Sequence, residues 1–360
     1  MKILHAITLA ELGGAQSVLL NLVQKSVEDG DEVMVVSAEG DLFWQSLPPS
    51  VHKKILPTLQ RAINPIKDER AIRDLRRVYK EFQPDVAHLH SSKMAFLGRL
   101  SFPSSIIIYT VHGFDSIRIA FRKFLSLERI LQYRARFIVA VSQYDYKNLM
   151  DEGITRNVSF IYNGIPDFPS LDPVDEANTA LCQAKAAIQN SKKFNVLCIA
   201  RMAAPKRFDL FCETAKLLEK DQVNFFWIGN KQPVINTPLN VYCLGEVPNA
   251  HQLLPLVNLF LLPSDYEGMP MSILEALSYG VPVIASNVGG ISEVLDNTNG
   301  FALTNNHETF SQHILQYKND LNSYEQTKIN ARISYTNNFT VDKMYKSYRK
   351  LYKTIASAVE

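Results

Sequence analysis

The sequence has few cysteines and no long hydrophobic run, and both features narrow the class of protein. Its 360 residues include four cysteines, with no C-x-x-C pair and no metal-ligand grouping with histidine. Buried, reduced thiols are therefore expected. No segment approaches the roughly 18 apolar residues of a transmembrane helix. The amino terminus leads from a short apolar run into glycines, which predicts a first strand and no signal peptide. These features predict a cytoplasmic protein that meets a membrane only from its surface.

Three further absences exclude other kinds of function. A formal net charge of +2 gives no reason to expect nucleic acid as a partner. The eight histidines contain no H-E-x-x-H or other metal-ligand spacing, so no bound metal is predicted. The dinucleotide fingerprint G-x-G-x-x-G is also missing from the first strand-to-helix turn, which argues against a nicotinamide or flavin enzyme.

Short apolar runs alternate with amphipathic segments in two series, which predicts an α/β protein with two parallel sheets. The strands expected in the first series are residues 3–7, 32–37, 85–90, 106–111, 137–141 and 158–162. Those expected in the second series are residues 196–200, 223–228, 241–244, 259–262, 281–285 and 301–303. A chain of this length favours two domains, which we place at residues 1–165 and 194–340. A linker at 166–193 contains Pro166, Pro169 and Pro173, and an amphipathic helix is expected at 341–360.

One strand-to-helix junction of the second series carries two glutamates. Pro270 is expected at the first position of a helix, where proline is tolerated. Glu267 then falls in the preceding loop and Glu275 in the second helical turn, and both can face the crevice at the carboxyl end of the strand. Free backbone amides at a helix start suit a phosphate or a sugar oxygen. The turn expected to bind such a ligand consists of Gly268, Met269, Pro270, Met271 and Ser272.

The spacing of Glu267 and Glu275 within EGMPMSILEAL, followed by GVPVIASNVGGISEV, resembles the E-x7-E signature of retaining glycosyltransferases of family 4. The resemblance implies the GT-B fold, in which two Rossmann-like domains face each other across a cleft. It implies an acceptor-side first domain, a nucleotide-sugar-binding second domain and a last helix that crosses back to the first domain. It also implies metal-independent transfer of a hexosyl unit, with a UDP-sugar as the first expectation for the donor. The acceptor would be a hydroxyl of a glycan or lipid-linked glycan, as in bacterial capsule, lipopolysaccharide and other polysaccharide biosynthesis.

The resemblance also assigns roles to residues of the second domain. It implies that Glu275 holds the ribose hydroxyls, that Glu267 and the turn at 268–272 bind the donor sugar, and that Gly245 and Glu246 lie near the nucleotide base. Arg201 and Lys206 match the arginine and lysine of the family. Two cations near a strand end can stabilise a diphosphate leaving group. Neighbouring Arg207 is an alternative for part of this work.

In the first domain the expected site residues follow two strands. Gly13 and Gly14 form a turn at which backbone amides can approach a phosphate closely. The family has a glutamate where this chain has Gln16, so only the two glycines are carried over. His112, in the setting Thr-Val-His-Gly, resembles the family's histidine near the donor sugar. The candidate catalytic residues are therefore His112, Glu267, Arg201 and Lys206.

A basic amphipathic segment begins at Ser116 and ends at Arg136. It contains one acid, Glu128, and six cations, Arg118, Arg122, Lys123, Arg129, Arg134 and Arg136. Two interpretations are open: a helix lying on the inner leaflet of an anionic membrane, or a core-facing helix with a solvated basic side. Two alternatives to the transferase also stay open, a nucleotide-sugar epimerase of the same fold and a non-catalytic partner subunit.

Overall fold

The structure is a computed structural model that describes residues 1–11, 13–170 and 178–358, with only the backbone described at residue 170. Two compact units are present. The first comprises Met1–Pro166 together with Val341–Glu360, and the second is Asp167–Thr340. Pro173 of the predicted linker lies outside the described residues. Each unit contains one parallel sheet, in agreement with the α/β pattern of the sequence.

Within the described part of the first unit, seven parallel strands follow the order β3-β2-β1-β4-β5-β6-β7. They are β1 (Lys2–Ala6), β2 (Glu32–Ser37), β3 (His52–Ile55), β4 (Val86–Leu89), β5 (Ile107–Val111), β6 (Phe137–Ala140) and β7 (Val158–Phe160). Six of these strands were predicted, with ends that differ by at most two residues. The sequence pattern missed β3 because this edge strand, HKKI, is mostly exposed and has no apolar run.

The helices of the first unit cover the sheet and connect its strands. They are α1 (Gly14–Glu28), α2 (Leu42–Gln45), α3 (Pro65–Phe82), α4 (Ser92–Ser101), α5 (Leu125–Leu131) and α6 (Gln143–Asp151). Three of them begin at side chains suited to capping: Asn64 accepts from Lys67 N at 3.1 Å, and Ser91 and Ser142 cap α4 and α6 in the same way.

The second unit contains six described parallel strands in the order β10-β9-β8-β11-β12-β13. They are β8 (Phe194–Ile199), β9 (Val223–Ile228), β10 (Val241–Cys243), β11 (Leu259–Leu262), β12 (Val283–Ser286) and β13 (Gly300–Leu303). All six were predicted, because each is a short apolar run, and the central strands such as β9 and β11 are buried along their whole length. The helices are α7 (Thr179–Gln189), α8 (Phe208–Leu217), α9 (Met271–Ser278), α10 (Ile291–Val294), α11 (His307–Asn319) and α12 (Leu321–Asn338).

The amino-terminal part of the second unit makes specific contacts with the rest of the unit. α7, within the predicted linker segment, buries Leu181 and Ile188 against this unit. Asp167 binds the guanidinium of Arg332 through both carboxylate oxygens at 2.7 Å. The two-pronged geometry makes this pair more specific in orientation than a single hydrogen bond would be.

The last helix, α13 (Val341–Ala356), belongs to the first unit. Its apolar face buries aromatic side chains that reach the sheet, and Tyr352 Oη lies 2.8 Å from Nδ1 of His88. Its polar edge contacts the end of α1: Tyr345 Oη donates to Asp29 at 2.8 Å, and Lys25 lies 2.8 Å from Asp342. Among the described residues, no helix has both the length and the apolar character that crossing a bilayer requires.

Candidate active site

Two loops of the second unit are joined at the carboxyl edge of its sheet. The strands β8 and β11 are neighbours, so the loops that follow them begin side by side. Lys206 and Ser264 form an isolated antiparallel bridge, and the amide of Asp265 donates to the carbonyl of Pro205 at 2.9 Å. The fold thereby brings the predicted diphosphate loop against the predicted sugar loop.

One carboxylate oxygen of Glu267 contacts two side chains. Its Oε1 accepts a hydrogen bond from Ser264 Oγ at 2.6 Å and forms an ion pair with Nζ of Lys206. The side chains of Lys206 and Glu267 are 17% and 12% exposed, so the pair is largely shielded from water. Such shielding strengthens the attraction between the two charges. The positions of Lys206 and Glu267 in the sequence do not indicate this direct contact.

The two arginines of the same loop have different environments. The backbone amide of Arg207 donates a hydrogen bond to the Pro263 carbonyl at 3.1 Å. Its guanidinium forms ion pairs with Asp209 at 2.6 Å and Asp265 at 3.1 Å. Arg201, two residues after the end of β8, is exposed. Two surface carboxylates thus already hold Arg207, and Arg201 is the better candidate for a second cation beside Lys206.

A polar network beneath the loop fixes Ser264. Its backbone amide donates to Ser286 Oγ at 2.8 Å, and its carbonyl accepts from Asn305 Nδ2 at 2.9 Å. Ser286 and Asn305 are hydrogen-bonded to each other. The sequence analysis missed both residues, since a serine at a strand end and an asparagine in the polar stretch after β13 carry no distinctive signal.

A glycine pair after β12 lies against the backbone of Glu267. Gly289 has φ +59°, and a Cβ atom at this position would lie 1.8 Å from the Glu267 carbonyl oxygen. Gly290 N donates to the Gly268 carbonyl at 2.9 Å. These contacts explain why the stretch SNVGGISEV accompanies the glutamate pair: a side chain at 289 would displace the loop.

Glu275 lies in the second turn of α9, as predicted, but Pro270 is the N-cap of this helix and not its first residue. Its backbone is extended, with φ −70° and ψ 124°, and the helix begins at Met271. The difference arises because the turn 263–270 is held by β12 and its loop before the helix starts. Glu275 is half-buried, and this burial raises its pKa to about 7.

The loop after β10 is arranged by an asparagine that the sequence analysis did not identify. Gly245 has φ +82°, its amide donates to Asn230 Oδ1 at 2.9 Å, and its carbonyl accepts from Gly229 N at 2.8 Å. The Asn230 side chain is buried, whereas Glu246 is exposed. The predicted base-binding segment is therefore an ordered turn with one charged side chain facing solvent.

In the first unit, the glycine turn is shorter than predicted. Gly13 is the N-cap of α1 with an extended backbone, and Gly14 is already the first helical residue. Gln16 donates from Nε2 to the Leu9 carbonyl at 2.9 Å. The glutamine that replaces the family's glutamate thus supports the turn from within.

His112 directly follows β5 and contacts another histidine. Its Nε2 lies 3.3 Å from Nδ1 of His90, and burial lowers the pKa of His112 to about 4. His90 follows β4 and is fully buried. The structure thereby joins two histidines that are 22 residues apart in the sequence.

The sequence contains no metal-binding motif, yet the fold brings three histidines together. Within the described residues, the one group of side chains with a geometry that could hold a metal ion is His5, His88 and His90. All three are fully buried. The expectation of no metal stays a prediction.

The basic segment from Ser116 to Arg136 is not the single helix that we predicted. It is a π-helical turn at Ser116–Ala120, a 3-10 turn at Arg122–Phe124, α5, and another 3-10 turn at Gln132–Arg134. The helical path is interrupted at Phe121, whose backbone has φ −129° and ψ 43°. Within α5, Glu128 turns inward and binds the buried guanidinium of Arg99 at 2.8 Å through both oxygens.

Several cations of this segment are already paired. Arg122 and Arg129 share Glu152 at 3.1 and 2.9 Å, and Arg118 binds Asp115 at 2.8 Å. The segment nevertheless exposes four large apolar side chains, Ile119, Phe121, Ile130 and Tyr133. Its surface is therefore less positive and more apolar than the sequence indicated.

Comparison with known proteins identifies two family models and several relatives. A family model described as Glycosyltransferase Family 4 matches residues 12–167, and a model described as Glycosyl transferases group 1 matches residues 193–320. An Escherichia coli UDP-Gal:alpha-D-GlcNAc-diphosphoundecaprenol alpha-1,3-galactosyltransferase is 26% identical, over 98% of this chain and 96% of its own. An uncharacterized 41.2 kDa protein in the cps region of Klebsiella pneumoniae is also 26% identical, over 98% of this chain and 100% of its own.

The fold is shared with solved structures. Anabaena HepE, solved in complex with UDP-glucose, superposes with a TM-score of 0.79 at 18% identity, over 98% of this chain and 100% of the other. The two family models together span most of both units. With the joined Lys206 and Glu267 loops and the spacing of Glu267 and Glu275, they show that the chain belongs to the family 4 glycosyltransferases with the GT-B fold.

Proposed function

We propose that this glycosyltransferase moves a hexosyl unit from a UDP-sugar to a hydroxyl of a lipid-linked glycan, with retention of the anomeric configuration. The contact between Lys206 and Glu267 carries the proposal, because it unites a cation suited to a diphosphate with a carboxylate suited to sugar hydroxyls. The E. coli relative named for UDP-Gal and a diphosphoundecaprenol-linked acceptor supports this choice of substrates. The UDP-glucose complex of Anabaena HepE supports the choice of nucleotide.

In the proposed complex, the donor diphosphate replaces Glu267 as the ion-pair partner of Lys206. Lys206 and the exposed Arg201 then neutralise the charge that develops on the leaving group, and no metal is required for this step. Glu267 becomes free to accept hydrogen bonds from hydroxyls of the donor sugar, while Ser264 keeps its carboxylate in place. The backbone amides at the start of α9, those of Met271 and Ser272, lie beside the same sugar in this complex, together with the rest of the turn at 268–272.

The family resemblance suggests the remaining donor contacts. Glu275 binds the ribose hydroxyls, and the turn at Gly245 and Glu246 binds the base. In the first unit, Gly13, Gly14 and His112 bind the phosphate and sugar side of the donor. These roles rest on the family resemblance and on the positions of the residues at the carboxyl ends of strands.

The reaction proceeds without a covalent intermediate. The bond between the anomeric carbon and the phosphate oxygen breaks, and the acceptor oxygen forms its bond to the same face of that carbon. The proton of the acceptor hydroxyl moves to an oxygen of the departing diphosphate. The protein supplies orientation and charge stabilisation, which are the main demands of such a transition state.

We also propose that the segment from Ser116 to Arg136 contacts the surface of an anionic membrane. Its exposed apolar side chains would enter the headgroup region, and the exposed cations Lys123 and Arg136, which have no carboxylate partner among the described residues, would approach the lipid phosphates. Such a contact would bring the enzyme to a lipid-linked acceptor at the inner leaflet.

A screen of UDP-, GDP- and ADP-sugars for donor hydrolysis and transfer to a polyprenyl-diphosphate sugar tests the proposal. We expect turnover with a UDP-sugar and an α-linked product from an α-linked donor. An epimerised sugar without transfer would show the alternative epimerase. No turnover with any donor, together with wild-type folding, would favour the non-catalytic subunit.

A further inference from the structure

Four histidines of the first unit lie in one layer at the carboxyl ends of neighbouring strands. His5 is on β1, His88 is on β4, and His90 and His112 directly follow β4 and β5. His5, His88 and His90 are fully buried. The proposed mechanism uses only His112. The three other imidazoles are buried polar groups beside it that the mechanism leaves without a role, and buried polar groups need an explanation.

Three of the four form a continuous chain of hydrogen bonds. Nδ1 of His5 lies 3.1 Å from Nε2 of His90, and Nδ1 of His90 lies 3.3 Å from Nε2 of His112. Both ring nitrogens of His90 are therefore used. The chain leaves Nδ1 of His112 as the ring nitrogen outside it.

Proton counting limits this chain to two arrangements. Burial lowers the pKa of His5 to about 3 and that of His90 well below its usual value, so each ring is neutral and carries one N–H. His90 must then donate through one nitrogen and accept through the other. Either every bond points from His5 towards His112, or every bond points the opposite way.

The environment of His5 favours the first arrangement. Its Nε2 is buried and has no hydrogen-bond partner within the described residues. If the bonds pointed towards His5, this nitrogen would carry a proton and become a buried donor without an acceptor, which native proteins rarely tolerate. If they point towards His112, it holds only a lone pair.

We propose that His5 and His90 are positioning residues that hold His112 in the tautomer protonated on Nδ1. His112 then presents an N–H donor to an oxygen of the donor substrate. This inference rests on the proposed role of His112 at the donor sugar. The hydrogen bond made by one ring nitrogen of a histidine decides which nitrogen carries the proton. In this chain, the bond from His5 sets the tautomer of His90, and the bond from His90 sets that of His112.

His88 lies in the same layer but outside the chain, which makes it a matched control. Its ring nitrogens bond to Thr110 Oγ1 at 2.7 Å and to Tyr352 Oη at 2.8 Å. Its ring centroid is 3.9 Å from that of His90. His88→Phe and His90→Phe thus disturb equally buried positions, and only the second removes the partner of His112.

Nitrogen-15 NMR of histidine-labelled protein without substrate tests the tautomer directly. The His112 signals are assigned by their loss in His112→Asn. We expect Nδ1 to carry the proton in the wild type and in His88→Phe, and the fixed tautomer to be lost in His90→Phe. His112 protonated on Nε2 in the wild type would overturn the proposal.

Turnover of a UDP-sugar provides the second measurement. We expect His90→Phe to lower kcat about tenfold, the effect of one hydrogen bond, with little change in UDP affinity. His90→Asn should recover most of this loss, because its amide nitrogen can take the place of Nδ1 and donate to His112. Equal kcat losses in His88→Phe and His90→Phe would show a merely structural role and contradict the inference.

Two outcomes separate this inference from the proposed function. Absence of turnover in the wild type would refute the proposed function, whereas the NMR result would still decide the tautomer. Stoichiometric zinc in the purified protein, lost in His90→Phe, would overturn the inference, because a metal on His5, His88 and His90 would use the lone pairs that the chain requires.

Discussion

Lys206 and Glu267 are 61 residues apart in the sequence, and their side chains form an ion pair in the second unit. The pair satisfies both charges without a ligand. A bound diphosphate offers Lys206 more negative charge than one carboxylate does, so donor binding should exchange the partner of Lys206 and leave Glu267 available to the sugar.

This exchange predicts opposite effects of removing the two residues. Lys206→Ala should weaken UDP binding about tenfold or more, because it removes a cation from the diphosphate. Glu267→Ala should leave UDP affinity equal or tighter, since it removes the competitor for Lys206, but should strongly reduce turnover of the UDP-sugar. Isothermal titration calorimetry with UDP and a donor-hydrolysis assay measure the two effects.

Arg207→Ala is the matched control for Lys206→Ala. Its guanidinium binds Asp209 and Asp265 at the surface of the same loop. We expect UDP affinity to stay within about twofold of the wild type, since exposed ion pairs contribute little. A loss as large as that of Lys206→Ala would mean that Arg207 binds the diphosphate.

Glu275 predicts a pH-dependent affinity for UDP. Its pKa of about 7 means that it ionises across the neutral range, and the ionised carboxylate is the better acceptor for ribose hydroxyls. UDP binding should therefore strengthen between pH 6 and pH 8 more in the wild type than in Glu275→Gln. Calorimetry at several pH values checks this, and parallel profiles would contradict the ribose assignment.

The same residue predicts a change in folding stability with pH. The folded-state pKa is above the ordinary value of 4.5, so between these values the folded protein holds a proton that the unfolded chain has lost. The contribution of Glu275 to the free energy of unfolding should thus fall as pH rises from 4.5 to about 7, by at most about 1.4 kcal/mol per pH unit. Urea unfolding of Glu275→Gln should show a flatter dependence.

Gly289→Ala should damage both the fold and the site. The new Cβ would meet the Glu267 carbonyl at 1.8 Å and would also require positive φ. We expect a loss of roughly 2–4 kcal/mol in unfolding free energy and a lower kcat. Gly30→Ala is the control, since its φ is +78° with open space around it, and it should cost only about 1 kcal/mol. Equal losses in the two variants would contradict the close approach.

The exposed apolar side chains of the basic segment predict binding to anionic vesicles. Ile119 and Phe121 are 58% and 50% exposed. Replacing both with serine should reduce flotation with phosphatidylglycerol vesicles at least fivefold, an estimate of about 1 kcal/mol from the apolar area lost. Serine at Ile329 and Ile333, which are 54% and 51% exposed on α12, is the control. Equal binding by both double variants would refute the membrane contact.

Most of the fold could be predicted because buried parallel strands leave a local signal. Apolar runs such as Leu259–Leu262 are hydrophobic on both faces and recur between helices. The exposed edge strand His52–Ile55 has no such signal. The basic segment was predicted as one helix because charge and apolar periodicity are local, whereas the contact that turns Glu128 inward to Arg99 joins residues 29 apart.

The sequence by itself determined the two α/β sheets, the family and the loops that carry Lys206, Glu267 and Glu275, because each depends on residues close together in the chain. Only the tertiary structure decided which groups meet. Three sets of contacts join residues that are distant in the chain and are brought together by the order of the strands in a sheet: the ion pair of Lys206 with Glu267, the support of Ser264 by Asn305, and the bonds from His5 through His90 to His112. Which strands become neighbours depends on the packing of the whole unit, so the residues of one stretch of chain do not reveal which loops will meet.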